Sequence, residues 1–138
     1  MTICRFYYNR VTKQKEKVCA PVQIPDQLIL EEAGPKSPAT FKLKGIVVHA
    51  GRSSNAGHYY SIVQGGDGRW LLCNDASVSV LGGGTTQEAS FDICSYINRG
   101  LSSSALNTDT PYMLSYERVI TDGDTEMMTD EAAESQLQ

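Results

Sequence analysis

The sequence predicts an α+β domain that is mainly antiparallel sheet with little helix, and three observations lead there. Short runs rich in aromatic and β-branched residues alternate with Gly-, Pro- and Asn-bearing segments along most of the chain. Two of these runs are joined by Gly65-Gly66-Asp67-Gly68, a strong hairpin signal. Only residues 91–97 carry apolar residues compatible with a short helix.

In chain order, residues 3–8 (Ile-Cys-Arg-Phe-Tyr-Tyr) read as a strand. The polar run 9–17 reads as a turn, and 18–22 as the returning partner, held to an edge because Pro21 cannot donate to a ladder. Leu28-Ile29-Leu30 is a short apolar step before a loop over 31–40, where Gly34, Pro35 and Pro38 exclude a regular element. In residues 41–49, Phe41, Leu43, Gly45 and Val47 alternate with Lys42, Lys44, Ile46 and Val48, a strand that becomes apolar on both faces as it enters the core. A polar bridge, 52–56, is bracketed by Gly51 and Gly57, and the hairpin strands follow at 58–64 and 69–75. After a short strand at 78–81 come a flexible Gly-rich segment at 82–87, the helix, a Ser/Asn/Thr-rich loop at 100–110 and a last strand at 112–117.

Composition bounds the function. With 138 residues, 41% of them hydrophobic and 20% charged, the chain forms one modest domain and not two. It has no apolar run of about 18 residues, and its start lacks the basic and apolar regions of a secretory signal. A soluble intracellular protein, cytoplasmic and/or nuclear and without a membrane partner, is expected. The net charge is −4, yet Asp122, Asp124, Glu126, Asp130, Glu131 and Glu134 stand without a base after Arg118 and leave a body at +2. Residues 1–118 therefore read as the folded part and 119–138 as an acidic disordered tail. A near-neutral body without a basic stripe argues against nucleic acid as a partner. Cys4, Cys19, Cys73 and Cys94 lack the paired short spacing of a zinc or redox site and read as reduced thiols, with Cys73 a small packing residue in Trp70-Leu71-Leu72-Cys73.

The two histidines, His49 and His58, both border glycines at strand ends. Cross-strand partners in a hairpin share a face, so the register decides what stands beside His58. Pairing Ile62 with Trp70 sets His58 opposite Asn74, whereas a two-residue Gly66-Asp67 turn sets it opposite Asp75. In either case a polar acceptor faces the imidazole. A ring held in one tautomer by an Asn or Asp is two-thirds of a nucleophilic triad; an ordinary polar pair at a sheet edge has the same geometry. A metal site built from His49, His58 and Asp75 is disfavoured, because two histidines nine apart across a glycine loop match no usual ligand spacing.

The stretch FKLKGIVVHAGRSSNAGHYY, residues 41–60, with WLLCND at 70–75, resembles the histidine box of the ubiquitin-specific proteases, papain-like cysteine deubiquitinases. Phe41, Leu43, Gly45, Ile46, His49, Gly51, Gly57, His58 and Tyr59 fill its pattern, with Phe41 standing where the family usually carries Tyr. Arg5-Phe6-Tyr7-Tyr8 is similar to the family's Arg-Phe-x-Tyr strand, and Pro111-Tyr112-Met113-Leu114-Ser115-Tyr116-Glu117-Arg118 to its closing strand.

The resemblance implies a partial papain-like fold, no cofactor, and ubiquitin and ubiquitinated proteins as partners. It makes His58 the general base, Asn74 the residue that orients it and Asp75 an assistant. Gly51, Gly57, Tyr59, His49 and residues 52–56 would form the narrow channel for ubiquitin's C-terminal tail, where glycine leaves room for a Gly-Gly peptide; for His49 a structural hydrogen-bonding role is preferred. The family's nucleophile, a Cys in a Gly-Asn-x-Cys-Tyr stretch upstream of the histidine box, has no match here, and Cys73 cannot replace it beside Asn74 in an apolar strand. The chain is therefore expected to be the C-terminal portion of a catalytic domain, inactive alone and prone to aggregate through exposed edges. The alternative is a non-catalytic ubiquitin-binding or scaffold protein.

Overall fold

A computed structural model describes residues 1–31, 38–84, 91–101 and 108–120. The expected acidic tail beyond residue 120, most of the 31–40 loop and much of the 82–87 and 100–110 segments lie outside the described residues.

β1 (Phe6–Asn9) and β2 (Gln14–Lys17) form a separate two-stranded hairpin. The returning strand is thus the polar run itself rather than residues 18–22. Polar contacts replace apolar alternation in holding it. Asn9 Oδ1 accepts from the Val11 and Thr12 amides at 2.9 and 3.3 Å, closing the turn. The Glu16 carboxylate collects the Tyr7 hydroxyl at 2.7 Å, the Thr12 hydroxyl at 2.7 Å and the Asn9 amide at 2.9 Å. These bonds hold the Glu16 carboxyl below its usual range, with Thr12 and Tyr7 the main causes.

The remaining strands make one antiparallel six-stranded sheet: β3 (Gln27–Leu30), β4 (Ala39–Ala50), β5 (His58–Gln64), β6 (Arg69–Asn74), β7 (Ser77–Gly83) and β8 (Thr110–Arg118). β8 occupies one edge of the long β4, while β3 and β5 share its other edge. β6 and then β7 extend the sheet beyond β5. The chain's first residues continue it outside β8, with Ile3 N–H donating to the Tyr112 carbonyl and Leu114 N–H to the Met1 carbonyl, each at 2.8 Å.

Strict alternation fails in β4 for a definite reason. Leu43 pairs with Tyr116 and Gly45 with Ser115, so Lys44 is an extra residue, a β-bulge. The bulge switches which positions face inward, and Leu43, Ile46 and Val48 all enter the same core. Ile62, Trp70 and Leu114 complete the sheet's side of that core.

The helix α1 (Ile93–Asn98) closes it with Ile93 and Ile97. Asp92 caps α1 by accepting from the Cys94 and Ser95 amides at 3.0 and 3.2 Å. The segment expected to be flexible from residue 82 instead begins as strand, with Gly82 and Gly83 at the end of β7. A Cβ on Gly82 would lie 2.7 Å from the Phe91 ring, which leads into α1.

Candidate active site

β5 begins at His58 and β6 ends at Asn74, so the hairpin delivers both residues to one end of the sheet. Its opposite end is set by Gly65 N–H donating to the Arg69 carbonyl at 2.8 Å and Gly68 N–H to the Gly65 carbonyl at 3.0 Å. Gly68 has φ +81°, a conformation that favours glycine, and Asp67 accepts from Arg69 N–H at 3.1 Å and from Arg69 Nε at 2.5 Å. These contacts centre a three-residue loop on Asp67.

Ile62 consequently pairs with Leu72 and Ser61 with Cys73, which corrects both registers expected from sequence, Ile62 with Trp70 and His58 with Asp75. The pairing differs by two residues from the first of those registers. A slip of one would invert every side chain, whereas a slip of two keeps each on its face. His58 thus stands diagonally from Asn74 on a shared face.

The side chains meet: His58 Nε2 lies 2.5 Å from Asn74 Oδ1. An amide oxygen only accepts, so Nε2 carries the ring proton and Nδ1 keeps a free lone pair. Asp75 sits at φ +50° in the turn that follows β6, with Oδ2 3.9 Å from His58 Nε2. Its side chain is 82% exposed and that of His58 46%, so water screens the carboxylate and Asn74 is the closer partner.

The loop leading into β5 rests on a buried foundation. His49 is 1% exposed, with its ring 5.3 Å from Phe6 and 4.9 Å from Tyr59. Burial lowers its pKa, and the Lys17 ammonium lowers it further. His49 Nδ1 has no hydrogen-bond partner among the described residues, and the ring packs against Phe6 and Tyr59. It lies beneath the loop of residues 51–57 instead of on its surface. Gly57 closes over it, and a Cβ there would collide with His49 Nε2 and lie 2.6 Å from the Ala50 carbonyl. Close approach is what demands glycine at Gly57, whereas Gly51 has φ +111°. Tyr59 is half exposed, stacked between His49 and Tyr112, whose ring is 5.8 Å away.

Lys17, Thr108 and Asp109, which lie outside every sequence motif, complete the frame together with Arg5 of the Arg-Phe-x-Tyr stretch. Lys17 Nζ donates to the carbonyls of His49, Gly51 and Thr108 at 2.9, 2.8 and 2.6 Å, joining β2 to the start of the 51–57 loop and to the entry of β8. Gly51 N–H donates to Thr108 Oγ1 at 3.3 Å, and the Tyr60 hydroxyl to Asp109 Oδ2 at 3.0 Å. Burial, reinforced by Asp109, holds the Tyr60 phenol protonated far above its ordinary range. Arg5, 2% exposed, donates through Nε to the Pro111 carbonyl at 3.1 Å and through Nη1 to the Ala20 carbonyl at 2.6 Å. In the sequence Lys17 closes a polar run with no apolar pattern, and its three carbonyl partners come from segments far along the chain.

The family model described as ubiquitin carboxyl-terminal hydrolase matches residues 1–116. Human ubiquitin carboxyl-terminal hydrolase 35 is 31% identical over 134 residues, covering 86% of this chain and 12% of that protein. Ubiquitin carboxyl-terminal hydrolase 25 of Arabidopsis thaliana is 52% identical over 40 residues, 29% of this chain and 6% of that protein. Among solved structures, a SAGA DUB module of Ubp8, Sgf11, Sus1 and Sgf73 bound to monoubiquitin matches with TM-score 0.60 at 20% identity, over 88% of this chain and 23% of that one. A yeast SAGA DUB module with a substituted Sgf73 matches with TM-score 0.59 at 20% identity, over 88% and 24%. The fold is the expected partial papain-like one, mostly antiparallel sheet with one short helix among the described residues. The chain spans less than a quarter of each of these four proteins.

Proposed function

The chain belongs to the ubiquitin carboxyl-terminal hydrolase family, and from that premise we propose that it supplies the histidine and asparagine of a cysteine deubiquitinase whose thiol comes from a segment outside these residues. The contact between His58 Nε2 and Asn74 Oδ1 carries the reading. With Nε2–H engaged, Nδ1 is the atom that takes the thiol proton, and the resulting thiolate attacks the carbonyl of ubiquitin's terminal glycine. The imidazolium then returns the proton to the leaving amine, and water hydrolyses the thioester with His58 acting again as base. Acid–base assistance of this kind contributes about 10²–10⁴-fold. Cys73 is no substitute nucleophile, because it pairs with Ser61 on the other face of the hairpin from His58.

Gly57 and Tyr59, with residues 52–56, form the wall that receives the Gly-Gly end of ubiquitin. The glycine lets that wall settle onto the buried His49 ring, where any side chain would collide. A fluorogenic amide of ubiquitin's C-terminus tests the assignment. The present chain alone releases no fluorophore, whereas the protein extended to include the family's Gly-Asn-x-Cys-Tyr stretch does so and loses turnover in His58→Ala. Full turnover in that variant would overturn the role given to His58.

A further inference from the structure

Cys4 and Cys19 come into opposition just below the β1–β2 ladder. The last paired residues are Phe6 and Lys17, and Val18 N–H still donates to the Arg5 carbonyl at 2.7 Å. The next opposed positions are the two cysteines. The Arg5–Val18 rung holds one of its two hydrogen bonds, the Val18 carbonyl accepting from Arg5 Nη1 at 3.4 Å, and the Cys4 thiol donates to the Phe6 carbonyl at 3.7 Å. A ladder carried on past that rung would make the next step the non-hydrogen-bonded kind, in which Cα atoms approach to about 4.5 Å and side chains leave on one face. Disulfides span Cα separations of about 4.4–6.8 Å. Both thiols are free, Cys4 exposed and Cys19 half-buried, and Cys19 lies within electrostatic reach of the cations Arg5 and Lys17. The other cysteines have no such opposite, since Cys73 faces Ser61 and Val78 across its two strands and Cys94 lies on α1.

We propose that Cys4 and Cys19 form a reversible dithiol–disulfide site that closes the base of the N-terminal hairpin, with oxidised glutathione as a sufficient oxidant. One cysteine, as thiolate, attacks a glutathione sulfur, breaking its S–S bond and releasing one glutathione. The second thiolate attacks the mixed disulfide, forming the Cys4–Cys19 bond and releasing the other. Two electrons pass from the protein to glutathione disulfide, and the two thiol protons end on the released glutathiones. The bond would join β1 covalently to the strand whose last residue, Lys17, holds the three carbonyls beneath the 51–57 loop. The site does not depend on the hydrolase reading, and neither does its test.

Trypsin separates the two cysteines, because cleavage follows Arg5, Lys17 and Lys36. The chain is equilibrated in oxidised glutathione with and without urea, alkylated, digested and analysed by mass spectrometry. A cross-linked pair of peptides, residues 1–5 with 18–36, is expected in several-fold higher yield without urea than with it. Dithiothreitol should abolish it, as should Cys4→Ser or Cys19→Ser. Separate glutathione adducts on the two residues, equal yields with and without urea, or comparable cross-links to Cys73 and Cys94 would overturn the proposal.

Discussion

Two polar clusters lie close together in this molecule and are built in opposite ways. The His58–Asn74 pair stands half exposed at strand ends, joined by one side-chain contact. The Lys17 cluster is largely covered, and its ammonium is bonded to three backbone carbonyls. A reactive group must be reachable, so its own contacts are few. The geometry it needs is carried by the neighbouring cluster, where bonds between a cation and desolvated carbonyls are costly to break. On the role proposed for His58, the difference teaches that chemistry and positioning fall to separate residues, and substitutions should separate them.

The largest effect is expected at the exposed cluster and only in catalysis. His58→Ala in the intact protein should lower kcat/KM for a ubiquitin amide by about 10²–10⁴-fold, while its urea midpoint stays near that of the wild type because the lost side chain is half solvated. A fall in stability to match would erase the contrast. Next comes Lys17→Met, which leaves the carbonyls of His49, Gly51 and Thr108 without their donor. At about 1–3 kcal/mol for each unsatisfied buried group, partly relieved by water, a loss of about 2–4 kcal/mol is expected from urea unfolding, with no requirement for the nucleophile.

Gly57→Ala sits between the clusters. Its methyl group meets the His49 ring and the Ala50 carbonyl, and overpacking of this kind costs about 1–3 kcal/mol. Calorimetry should show the lower melting temperature, and KM should rise more than kcat falls as the loop moves. The smallest effect belongs to His49. Burial lowers its folded pKa, so below the ordinary imidazole value of about 6.5 the unfolded chain binds the proton first. Its contribution to stability is complete above that pH and declines as pH falls, until the folded ring protonates as well. Urea midpoints at neutral and mildly acid pH should diverge more in the wild type than in His49→Phe.

Much of the sheet can be read from local pattern. Alternation and the glycine-rich turn bound β5 to the residue, and β6 to within one. The polar strand β2 is opaque to such reading, because Glu16 and Lys17 hold it through hydrogen bonds rather than an apolar face. The hairpin register depends on Asp67 and Gly68 centring the three-residue loop on Asp67 rather than on Gly66, a choice that composition leaves open. The inward face of β4 depends on the bulge at Lys44, which exists only in relation to β8. At the site, His58 and Asn74 stand out by residue type and spacing. Lys17 and Asp109 do not, and Arg5 shows only as part of a strand motif, since their partners lie tens of residues away.

The occupancy of both edges of β4 sets an order for how solvent deuterium would enter the molecule. Its amides are shut in by β8 on one side and by β3 and β5 on the other, so they exchange only through openings that dismantle the whole sheet. Among the described residues β7 is paired only with β6, and its outward amides exchange through local fraying. The strand that leads directly into the 51–57 loop is then also the slowest to be labelled, and a ligand holding that loop would slow exchange at its rim while leaving the protection of β4 unchanged.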